Sequence, residues 1–107
     1  MIIKILQIKD VENTDYAFRE YNPAKFSLKD YEVVYCFTTD QYTGEEDSDI
    51  LETIFYQFNT CFPKDYKGHS LSVSDLVVLE SDRTSRLYYC DFFNWTLVDK
   101  KEVQHED

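Results

Sequence analysis

A chain of 107 residues with 21 Asp and Glu against 11 Lys and Arg carries a formal net charge of −10. The length suits one domain and leaves no room for two. The charge excludes nonspecific DNA or RNA binding, which needs basic surface to neutralise phosphates, and disfavours anionic membranes for the same reason.

The first predicted element is a strand over residues 2–8, where Ile3 and Ile5 alternate with Lys4. Its apolar run is too short for a signal peptide or a membrane span. Residues 10–22 are polar with Tyr16, Phe18 and Tyr21 interspersed, and fit either a short helix or an irregular excursion; Asn22-Pro23 is a break. Tyr31 to Thr38 is rich in β-branched and aromatic residues, which predicts a strand near the middle of a sheet. A loop with Gly44 follows. A helix is then predicted with Asp49 as its cap and Glu52 reaching back as in a capping box. Ile50, Leu51, Ile54, Phe55 and Phe58 form its apolar stripe, and Asn59 and Pro63 mark its end.

After a loop with Pro63 and Gly68, residues 71–79 read as a strand, Ser81 to Thr84 as a turn, and residues 87–93 as a second strand, together an antiparallel hairpin. Gly68 is expected to take a positive φ. Trp95 to Val98 fits a last short strand. The fold class is α+β: an antiparallel sheet of four to five strands with one main helix packed on one face. Residues 1–103 are expected to form the domain and residues 104–107 a flexible acidic tail. The three cysteines, Cys36, Cys61 and Cys90, show no CxxC spacing and sit among aromatic residues. They are expected to be buried, reduced thiols of a cytoplasmic protein.

Chemistry-bearing constellations are few. Gly68-His69-Ser70-Leu71-Ser72-Val73-Ser74-Asp75 places Ser, His and Asp together. Neighbours on one strand alternate faces, however, and cannot bond as nucleophile, base and orienter. These polar groups are expected to satisfy backbone groups of a loop entering a strand. The other histidine is His105, and no cysteine spacing matches a zinc site. Residues 40–47 have the composition of a calcium loop without its alternating ligands or its closing bidentate Glu. The expectation is therefore no catalytic residue, no metal and no cofactor.

The acidic block stands apart. No Lys or Arg lies between Lys29 and Lys64, and six carboxylates fall from Asp40 to Glu52. Asp49 and Glu52 suit the positive end of a helix, but Glu45, Glu46 and Asp47 have no cation near them in sequence. A solvated acidic loop is one reading. The other is a contact surface for a basic partner, made by Asp40, Tyr42, Glu45, Glu46, Asp47, Asp49 and Glu52, with Phe55 or Tyr56 at its flank.

Residues 51–59 (LETIFYQFN), 63–75 (PKDYKGHSLSVSD) and 88–93 (YYCDFF) resemble the YodL-like domain, most strongly at GHSLSVSD. The resemblance covers about half of the chain and implies a setting on plasmids and conjugative elements of Gram-positive bacteria, with no known enzymatic activity. A small, acidic, free-standing protein of that setting is also similar to anti-defence proteins, including anti-CRISPR inhibitors of Cas9. The functional expectation is an anti-defence inhibitor. It would bind a basic nucleic-acid-handling protein, foremost a Cas9-type effector, and block guide RNA or DNA binding without touching nucleic acid itself. The alternative is a non-enzymatic adaptor or scaffold domain of mobile-element proteins.

Overall fold

Five segments dense in β-branched and aromatic side chains form strands in the computed structural model, which describes residues 1–82 and 84–98. They are β1 (Ile2–Ile8), β2 (Tyr31–Thr38), β3 (Leu76–Ser81), β4 (Thr84–Cys90) and β5 (Trp95–Leu97). All pairings are antiparallel, in the order β2-β1-β3-β4-β5. One helix, α1 (Asp47–Thr60), packs on one face. The α+β architecture predicted from the sequence is the one observed. The proposed tail and residues 99–103 lie outside the described residues.

Period-two alternation sends successive side chains to opposite faces. Ile3, Ile5, Val77 and Leu79 meet Ile50, Leu51, Ile54 and Phe58 of α1. Ile8, Leu76 and Tyr89 meet Tyr16 and Phe26 on the other face. Of the two readings left open for residues 10–22, the irregular one holds. Only 3-10 turns at Val11–Asn13 and Leu28–Asp30 interrupt this layer. The hydroxyls of the buried tyrosines find partners: Tyr16 donates to Asp30 Oδ2 at 2.7 Å, and Tyr89 of β4 to the Arg19 carbonyl at 2.7 Å.

Several expectations are corrected. β2 lies at the sheet edge, not near its middle. Its aromatic density comes from serving both layers: Tyr35 and Phe37 pack toward α1, and Tyr31 toward the opposite layer. The change of face is made by a bulge, since Ile5 pairs with Tyr35 and Leu6 with Val33, leaving Val34 extra. α1 begins at Asp47 with Glu46 as a cap that makes no side-chain bond, so the Asp49–Glu52 capping box does not form. Phe55 sits at the margin of the helical stripe, partly exposed, edge-on to Trp95.

β3 starts only at Leu76, because residues 72–75 turn, with Ser74 at φ +81°. β4 ends at Cys90, so Phe92 and Phe93 are not strand residues. Cys90 is buried, and burial pushes its thiol up to about 12, but Cys36 and Cys61 are exposed. Cys36 alternates away from the α1 face on the edge strand, and Cys61 follows the last turn of α1. Gly68 does not take a positive φ; Gly44 does, at +83°.

Candidate protein-binding surface

The acidic block is built on an ordered turn. Thr43 bonds the Asp40 carbonyl through both its N–H and its hydroxyl, and the Glu45 N–H donates to the Tyr42 carbonyl. Gly44 supplies the positive φ that reverses the chain. Tyr42 is 3% exposed and belongs to the α1-side core. It anchors the turn and offers no contact surface, which removes it from the predicted set.

Asp47 also leaves the set, for an electrostatic reason. Its two oxygens take Arg86 Nε at 2.6 Å and Nη2 at 2.9 Å, and Tyr88 donates its hydroxyl at 2.6 Å. The Arg86 hydrogen bonds hold the Asp47 carboxyl below its ordinary range, while partial burial opposes them. The sequence showed no cation near Asp47, yet the sheet brings one to it. The clamp also explains where α1 starts, since fixing Asp47 against β4 sets the first turn two residues before the anticipated cap.

The remaining five, Asp40, Glu45, Glu46, Asp49 and Glu52, are exposed. Among the described residues none of the five has an ion-pair partner. Asp47 and Asp49 stand in the first turn of α1, where carboxylates are favoured by the helix dipole. Tyr56, named as a flank, is 70% exposed.

The same side of α1 leads to a feature that the sequence reading missed. Glu52 and Phe55 line a depression with Phe92 and Phe93 of the β4–β5 connection and Trp95 of β5. Phe93 is 99% exposed and Phe92 60%. A signal was present: Asp91 and Asn94 bracket the two rings with turn chemistry. The aromatic run Tyr88 to Phe93 concealed it by looking like continuous strand.

A second polar cluster holds the motif GHSLSVSD. Gln7 of β1 faces the loop and acts as a peptide surrogate. Its Oε1 accepts from the His69 N–H at 3.1 Å, and its Nε2 donates to the His69 carbonyl and to Asp75 Oδ2, each at 3.0 Å. Tyr66 donates to the same carbonyl at 2.6 Å. Asp75 Oδ2 also accepts from the Ser72 N–H at 2.8 Å. Burial raises the Asp75 carboxyl to about 7, against the lowering influence of Ser72, His69 and Gln7. The Ser72 hydroxyl donates to the Ser70 carbonyl and not to His69. Asp75 stays 3.8 Å from His69 Nδ1. The motif's polar groups therefore bond backbone, as anticipated, with Gln7 as the partner that sequence spacing did not reveal. Among the described residues, no group of three or more His, Cys, Asp and Glu is placed to share a metal ion. No helix of the described residues is long and apolar enough to cross a membrane.

Comparison with known families decides the lineage: the model of the YodL-like domain matches residues 2–100. The chain belongs to the YodL-like domain family. The match extends the resemblance at GHSLSVSD across the acidic half, so turn, helix and sheet are all parts of one YodL-like domain. No curated protein and no solved structure matches the chain.

Proposed function

We propose that this YodL-like domain is a non-enzymatic binding protein that docks its acidic turn and α1 on a basic nucleic-acid-handling protein. A Cas9-type effector is the partner that its charge fits, and occlusion of guide RNA or DNA is the mode of action. The observation that carries this reading is the set of five exposed carboxylates of the acidic block that have no ion-pair partner among the described residues. A positively charged channel built to hold a heteroduplex is their natural complement. A chain of net charge −10 is repelled by nucleic acid and attracted by the surface that binds it.

The test compares two triple charge reversals of equal net change. Glu45→Lys, Glu46→Lys and Asp49→Lys alter the acidic surface; Glu12→Lys, Asp15→Lys and Glu32→Lys alter exposed carboxylates elsewhere. The first triple is expected to weaken binding to a guide-free Cas9-type effector at least tenfold more than the second. Equal losses would reduce the effect to bulk charge.

A second reading, an adaptor for mobile-element proteins, is favoured by the outer edge of β2, an eight-residue strand with no Pro or Lys whose outer side pairs with no strand among the described residues. Such an edge can accept a partner strand. Binding of that kind would rest on backbone hydrogen bonds and change little with salt.

A further inference from the structure

The β4–β5 turn breaks the ordinary chemistry of turns. Tight connections favour Gly, Pro, Asn, Asp and Ser, and a water-facing phenyl ring gains nothing in the free protein. Here two consecutive rings occupy the tip, one of them 99% exposed. The turn is also held rigidly. The Asp91 N–H donates to the Asn94 carbonyl at 2.9 Å. Asp91 Oδ1 accepts from the Tyr21 N–H at 3.0 Å, and Oδ2 accepts from the Thr96 hydroxyl. Cys90 pairs with Trp95 below it. One carboxylate thus ties the turn to β5 and to the layer on the other face of the sheet. Rings presented on a fixed base lose little freedom when they are buried by a partner.

The surroundings of the rings are acidic on the Phe93 side. Depressions of about 190 and 260 Å³ flank the turn, the first lined by Glu52 and Phe55, the second by Glu20 and Tyr21. Among the described residues, the depression beyond Phe92 is the one at this turn that cations border, Arg19 and Lys25. Aromatic side chains at the centre with charge around them is the anatomy of a protein–protein hot spot.

We propose that Phe92 and Phe93 are the apolar anchor of a protein interface, and that its occupant is a basic protein presenting an apolar pocket beside its Lys or Arg side chains. This rests on the function proposed above and extends its contact surface from the acidic turn along α1 to the β4–β5 turn through Glu52. The acidic residues steer and orient the encounter; the two rings set its lifetime once water is expelled.

The experiment measures association and dissociation rates of the parent, Phe93→Ala and the double variant Phe92→Ala/Phe93→Ala with a guide-free Cas9-type effector, alongside melting curves. Phe93→Ala is expected to melt as the parent does, since its ring is exposed, and to dissociate about tenfold faster or more with little change in association rate. The charge-reversal triple should do the opposite and mainly slow association. If the parent binds and both phenylalanine variants match it, the anchor is overturned while the acidic docking surface stands. If the parent does not bind at all, the docking reading fails and the anchor fails with it. Neutral phosphatidylcholine vesicles form the control arm. Capture of the parent but not of the double variant by these vesicles would make the turn a lipid contact and overturn the protein anchor.

Discussion

Gly68 has no space for a side chain: a Cβ would lie 2.5 Å from Gln7 Oε1 and 2.7 Å from the Tyr66 hydroxyl. Both atoms bond the His69 backbone, Oε1 its N–H and the Tyr66 hydroxyl its carbonyl, so neither can retreat without breaking the clamp. Gly68→Ala is expected to destabilise the fold by about 1–3 kcal/mol, the usual cost of overpacking, as read by denaturant titration; an unchanged midpoint would contradict the crowding. The residue was recognisable in the sequence as one that matters. Its reason was not, because the crowding atoms come from β1 and not from the loop itself. Asp75 gives a test by pH. Its folded value of about 7 lies above its ordinary value of 3.8, so the native state holds the proton more tightly than the unfolded chain. The stability it contributes is full below about 4 and is lost as pH rises toward 7. Asp75→Asn keeps an acceptor for Ser72 and Gln7 without the charge. Its stability relative to the parent should therefore rise between pH 4 and 7. Parallel pH profiles would show that the Asp75 carboxyl titrates normally. Asp47 runs with the opposite sign, since its depressed value stabilises at neutral pH and is lost in acid. The difference between variant and parent, not the parent's own curve, isolates Asp75.

At the scale of elements, the helix, the hairpin and the first two strands were legible because their periodicities are local. What was not legible came from pairings across the sheet. Arg86 lies 39 residues from Asp47 in sequence, yet the two meet on neighbouring elements and displace the start of α1 from the place that local capping rules favour. The edge position of β2 was hidden because both its faces carry aromatics, which mimics a central strand. The Asp47–Arg86 pair separates folding from binding. Both side chains are about three-quarters shielded from water, so the bidentate bond is stronger than a surface pair. Arg86→Ala should lower stability by about 1–3 kcal/mol. It should not weaken binding to a basic partner, because it releases one more carboxylate at the acidic surface. A loss of affinity in a variant shown to be folded would mean that Arg86 itself touches the partner.

Over the whole molecule, composition already showed the acidic balance, while the fold decides which carboxylates are free to use it. The sheet neutralises Asp47 and the core takes Tyr42; five carboxylates of the acidic block remain exposed, and one of them, Glu52, lines a depression with the two phenyl rings of the β4–β5 turn. Screening acts on such a surface over roughly 8–10 Å at physiological ionic strength, so its attraction for a basic partner must weaken as salt rises. The most direct measurement is a titration of the intact protein against a Cas9-type effector, guide-free and guide-loaded, at two salt concentrations. Docking by the acidic surface predicts tight binding to the guide-free effector at low salt, clear weakening at high salt, and weaker binding once guide RNA fills the basic channel. Absence of binding at low salt, or affinity that is indifferent to both salt and guide, would contradict it.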